Sequence, residues 1–154
     1  MRKTLIAFIV VLLSSACGSD LDPSDIPNLS GRWGGFFTVS SCTEEPNFVN
    51  FCSALGGERA LILTLMQTNE QVSGTLQLST TQTAVNGTVG RNRSLTLSGS
   101  GLVLGDHARM TLTAWQATID GSDSISGSLR YAITSIPPFT GSSDVIGAFV
   151  GVHR

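Results

Sequence analysis

Charge is scarce in this chain. Charged residues make up 13% of 154 residues, about half the share of an ordinary globular protein. Lys3 is the single lysine, and His107 and His153 are the two histidines. A formal net charge of -2 excludes a binder that works by neutralising phosphates. A hydrophobic content of 41% and a mean hydropathy of +0.22 exclude a disordered charged tail. Long apolar runs are missing too. The longest, Leu5 to Leu13, covers about 14 Å as a helix, half of a bilayer core. No Gly-x-Ser-x-Gly, Cys–His set or Walker loop occurs, so the common nucleophile and phosphate motifs are absent. The length suits one domain and is short for two.

What is present begins with a three-part N-terminus. Arg2 and Lys3 precede the apolar run, and Ser14-Ser15-Ala16-Cys17 closes it. That order reads as a signal peptide. Its ending resembles a bacterial lipoprotein signal, in which a small residue precedes a cysteine, as Ala16 precedes Cys17. The resemblance implies a signal peptide over 1–16 and a diacylglycerol thioether on Cys17, with an acyl (palmitate-type) chain on the new amino terminus. Several chains give stable anchoring where one is marginal. Ordinary cleavage after Ala16 is the alternative. The chain has three cysteines; with lipid on Cys17 one pair remains, Cys42 and Cys52, and export favours a disulfide between them. Gly18 rather than Asp follows Cys17, which by the same resemblance points to the outer membrane. From Cys17 onward seven Arg face eleven Asp and Glu, a formal -4. Three Asp and two Pro without periodicity make 17–29 the lipidated cysteine and a tether, and 30–154 the domain.

From Ser30 onward the hydrophobic pattern has period two. Val72, Gly74, Leu76 and Leu78 alternate with Ser73, Thr75 and Gln77. Ile125, Gly127, Leu129, Tyr131 and Ile133 alternate with Ser126, Ser128, Arg130 and Ala132. Such strands have one dry face and one wet face. Turn residues such as Asn69-Glu70, Gly90–Arg93 and Asp120–Asp123 separate them. The pattern predicts eight strands, about 31–40, 59–68, 71–79, 83–90, 94–101, 108–119, 124–135 and 144–153. The expected fold is all-β, an antiparallel up-and-down eight-stranded barrel, with a β-sandwich as the alternative.

A short repeat of apolar, small polar, Gly, small polar, apolar recurs as Val72–Leu76, Val85–Val89 and Ile125–Leu129. Each glycine falls on the inward face. Glycine weakens a strand, so this placement reads as sharp coiling of a closing sheet, or as room for a ligand. Ser and Thr on the outer face exclude a membrane-spanning barrel.

Leu29-Ser30-Gly31-Arg32-Trp33 opens the first strand, and the chain ends Val152-His153-Arg154. The Gly-x-Trp opening with a late Arg resembles the lipocalin and calycin barrels. The resemblance implies barrel closure by Gly31, Trp33 and Arg154, with the guanidinium stacked on the indole, a contact of about 0.5–2 kcal/mol.

Candidates for chemistry are few. Cys42 and Cys52 fall in a long loop, about 41–58, with apolar Phe48, Val49 and Phe51; it reads as a lid or as a stapled binding loop. Glu44-Glu45 reads as an acidic rim or solvated surface. Asp106-His107 and His153 read as surface residues. Asp120–Asp123 has too few ligands for Ca²⁺, so neither metal nor other cofactor is expected. Trp115 shares a face with Thr111 and Thr113, opposite Met110 and Leu112, so strict alternation points it outward; a one-residue slip would place it in the core. The leading expectation is an outer-membrane-anchored, non-catalytic lipoprotein whose barrel binds a small apolar ligand, lined by Phe37, Leu76, Leu97, Leu129 and Tyr131. The alternative is an envelope interaction module or protease inhibitor with a solid core. Expected partners are the membrane, through the anchor, and a small apolar ligand or envelope protein, with no nucleic acid.

Overall fold

The computed structural model describes residues 26–46, 48, 52, 55–99, 101–104 and 108–154. The segments 1–16 and 17–25, with the Cys17 site, lie outside the described residues, as do Val49, Phe51 and Asp106-His107. Nine strands follow one another: β1 Gly31–Glu44, β2 Glu58–Thr68, β3 Gln71–Leu78, β4 Thr81–Val89, β5 Ser94–Gly99, β6 Leu102–Leu104, β7 Ala108–Asp120, β8 Ser124–Ser135 and β9 Ser142–His153. Each of β1 to β4 pairs antiparallel with the next, β7–β8 and β8–β9 continue the ladder, and β9 returns to β1. Pairing of Ser94, Leu95 and Thr96 on β5 with Thr118, Ala117 and Gln116 on β7 closes the ring. The result is a closed eight-stave antiparallel barrel, which excludes the sandwich because no sheet edge is left between two layers.

Alternation places the core. Trp33, Leu63, Leu76, Val85, Leu97, Leu129 and Val152 all point inward and are buried, while Ser, Thr, Gln and Asn take most outward positions. The turns are tight, with positive φ at Asn69, Ser79, Arg93 and Gly121, the conformation that two-residue hairpins require. Four boundaries differ from the sequence reading by two residues or more, among them the start of β4 at Thr81 rather than 83. β1 runs on to Glu44, so Cys42 is a strand residue and not a loop residue. The eighth stave begins two residues early, at Ser142. The strand expected over 94–101 ends at Gly99, and the three-residue β6 continues the pairing with β7 through Leu102↔Met110.

The repeated glycines mark the tightest points of the sheet. A Cβ on Gly74 would stand 1.9 Å from the Thr64 carbonyl oxygen, on Gly87 1.8 Å from that of Thr96, and on Gly127 2.2 Å from that of Gln116. In all three the oxygen belongs to the residue before the glycine's own register partner, Leu65, Leu97 or Ala117. One backbone therefore folds over the other at each copy, and no side chain fits. This is coiling of the sheet, not room kept for a ligand.

Candidate functional site

The barrel has two unlike ends. At the base, Trp33 is fully buried and its indole N–H donates to the Leu29 carbonyl at 2.9 Å. Leu29 belonged to the tether in the sequence reading; instead it is a plug, 1% exposed. Gln67 on β2 holds the plug from both sides. Its side-chain oxygen accepts from the Leu29 N–H at 2.7 Å, and its own N–H donates to Ser30 Oγ at 3.0 Å. Arg154 lies over the Trp33 ring, 4.8 Å from the centroid, and its Nη2 donates to the carbonyls of Asn28 at 2.8 Å and Ser30 at 3.0 Å. Gly31, at φ 131, turns the chain into β1 beneath that guanidinium, a backbone angle that a side chain would strain. The role of Gln67 was not visible in the sequence, since no local pattern marks a contact across 38 residues.

At the opposite end, the mouth, β1 and the β1–β2 connection are stapled by the Cys42–Cys52 disulfide. Phe48 of this connection packs against the core cluster, and a Cβ on Gly141 would meet its ring at 2.6 Å, so Phe48 sits at the mouth against the β8–β9 loop. The two loops are tied directly. The Glu45 N–H donates to the Ser142 carbonyl at 3.0 Å, and Ser142 Oγ donates to Glu45 Oε1 at 3.1 Å. Glu44 Oε2 accepts from the Cys52 N–H at 3.2 Å. The two glutamates thus serve as loop ties. Leu55 and Phe139 stand exposed on the rim.

The expected ligand-lining residues all point into the barrel, where they are packed. Phe37, Leu76, Leu97 and Leu129 are buried in one continuous cluster. Tyr131 is half-buried against it, at the mouth; burial pushes its hydroxyl above the usual range, and the positive charge of Arg59 pulls partly back. Trp115 is the clearest departure from simple alternation. It points inward, 1% exposed, and stacks on Phe149. The cause is a bulge: Leu112 faces Tyr131, Ala114 faces Arg130, and Thr113 between them has no partner residue. One extra residue on one strand reverses the facing of everything after it.

The remaining candidates stay outside this interior. His153 is exposed at the end of β9. The Asp120–Asp123 turn is held by Arg93, whose Nε donates to the Ile119 carbonyl at 2.9 Å and whose Nη2 donates to that of Gly121. No cluster of three metal-ligating side chains occurs among the described residues. Arg130 and Asp144 form a forked ion pair on the outer face of β8 and β9, with Nε at 2.8 Å from Oδ1. No family model, curated protein or solved structure matches the chain.

Proposed function

We propose that this chain is a non-catalytic envelope module, held at the membrane by lipid on Cys17, that acts on a protein partner through the mouth of a solid barrel. The observation that carries the reading is the single buried apolar cluster that the inward side chains form. Trp115 on β7 and Phe149 on β9 stack over the intervening β8, with ring centroids 4.3 Å apart, and the other inward side chains are buried in the same cluster. Inward side chains that already bury one another in a single continuous cluster favour an interaction module over a ligand carrier. The mouth suits that role. It is stapled at Cys42–Cys52, tied from Glu45 to Ser142, and displays Leu55 and Phe139 as apolar anchors. The Cys42–Cys52 disulfide supports an exported location, consistent with a lipid-anchored protein of the outer membrane.

The test uses the chain produced in its host envelope. Native mass spectrometry should give the polypeptide plus acyl groups, lost in Cys17→Ser, and no further small molecule. A photo-crosslinking residue at Phe139 should capture a different protein. A stoichiometric apolar molecule retained by the barrel, with no protein captured at Phe139, would overturn the reading in favour of ligand carriage.

A further inference from the structure

The outer surface of the barrel is not uniform. Among the described residues, six large apolar side chains are left exposed, and four of them, Phe36, Met66, Ile146 and Val150, lie on the adjacent staves β9, β1 and β2. Phe36 is 60% and Val150 83% exposed. The outward positions of the other five staves are mostly Ser, Thr, Gln and Asn. Apolar side chains gathered on one sector of a soluble surface mark a contact that covers them.

We propose that this sector is the interface of a homodimer, two copies packing their β9–β1–β2 faces about a two-fold axis that runs across the strands at the level of Gly35. Three features select a second copy and this axis. The centre of the patch carries no charge, as isologous interfaces do. It also carries a knob and a notch. Phe36 projects, while two residues away Gly34 leaves open space where a side chain would stand, with nothing within 4 Å of its Cβ position. An axis at Gly35 reverses the strand direction between copies and lays each Phe36 over the Gly34 of the other, beside Ile62, the register partner of Gly34. The third feature is charge. Arg32 and Glu58 are both exposed and have no ion-pair partner among the described residues. They sit at opposite ends of the patch: Arg32 is level with Thr64, and Glu58 with Thr38, so Gly35 is the midpoint between the two levels. The same axis brings the Glu58 of one copy over Thr64 of the other, one strand spacing from Arg32, and does so twice. An axis along the strands would instead set Arg32 against Arg32 and leave both Glu58 carboxylates unmatched. Because barrel staves tilt by about 35–45° from the barrel axis, reversing the strands crosses the two barrels near a right angle rather than end to end. Both bases then lean to the same side, so two copies anchored in one membrane can form the pair.

The experiment is site-specific photo-crosslinking of the full chain in its host envelope. With the photo-reactive residue in place of Phe36, a covalent species of twice the chain mass, containing this chain alone, is expected. The same residue in place of Thr88, on the far side of the barrel, should leave the chain at single mass. Capture of a different protein, capture of lipid alone, or no adduct at Phe36 would overturn the dimer. Arg32→Glu and Glu58→Arg should each lower the yield by roughly fivefold, the upper range for losing an exposed ion pair, and the combined exchange should restore it. Failure of the combined variant to recover, with the disulfide intact as proof of folding, would overturn the proposed axis.

Discussion

Trp115 on β7 and Phe149 on β9 stack at 4.3 Å between ring centroids with planes 29° apart, although the alternation of β7 counted from Met110 points Trp115 outward. The contact exists because Thr113 bulges. Its hydroxyl donates to the Arg130 carbonyl at 3.0 Å and so ties down the extra residue. Trp115→Ala should destabilise the barrel by about 3–5 kcal/mol, the range for emptying a large aromatic site, as read by denaturant unfolding. Trp115→Phe should cost less, because the indole N–H makes no hydrogen bond here. Deleting Thr113 should leave the barrel folded with Trp115 still buried, since Leu112, Ala114 and Trp115 then alternate in, out, in against Tyr131, Arg130 and Leu129. A deletion variant that unfolds, or whose tryptophan fluorescence reports solvent exposure, would refute this account of the bulge.

The three inward glycines should be intolerant of the smallest side chain. Gly74→Ala, Gly87→Ala and Gly127→Ala each drive a methyl into a neighbouring carbonyl, and overpacking against backbone costs about 1–3 kcal/mol or more. Gly34→Ala, which meets open space within the chain, should stay within about 0.5 kcal/mol of the parent when both are unfolded at monomeric dilution. Thermal unfolding of the four variants separates the two groups. Equal tolerance at all four sites would show that the sheet can relax at its coils.

Arg154 closes the base with one ring contact and two charged hydrogen bonds. Arg154→Ala should cost about 1–3 kcal/mol. Arg154→Lys should recover only part of this, because an ammonium cannot stack flat on Trp33 while reaching both carbonyls. Chemical denaturation of the two variants measures the difference, and full recovery by lysine would reduce the role of Arg154 to its charge.

Tyr131 should make the barrel sensitive to alkali. Burial raises its folded pKa above the ordinary 10.0, so the folded state binds the phenolic proton more tightly than the unfolded chain does. The resulting stability is complete below the unfolded pKa and is lost as pH rises through the folded one. Tyr131 is the chain's single tyrosine, so tyrosinate absorbance reports it alone. Its titration should lie above that of the unfolded chain, and Tyr131→Phe should flatten the alkaline fall in stability. Coincident folded and unfolded titrations would contradict the burial argument.

Most of the barrel is local information. Alternation over Val72–Leu78 and Ile125–Ile133 sets which side of each strand meets water, because successive side chains on an extended backbone point to opposite faces. Glycine and polar turn residues set where the strands reverse. That is enough to count eight staves, to put Phe37, Leu76, Leu97 and Leu129 inside, and to place the repeated glycines on the inner face. Contacts between distant parts of the chain are a different kind of information. A bulge is a mismatch between two strands, so nothing in Met110–Ala117 taken alone reveals that Thr113 is the unpaired residue. Leu29 reads as tether until Gln67 and Arg154 arrive from 38 and 125 residues away to hold it under Trp33. The gathering of Phe36, Met66 and Val150 into one outward sector depends on β9 returning to β1, a closure that no period-two pattern contains. Facing is a property of one strand and is written along it; registry, plugging and surface neighbourhood belong to pairs of strands and arise only when the sheet closes.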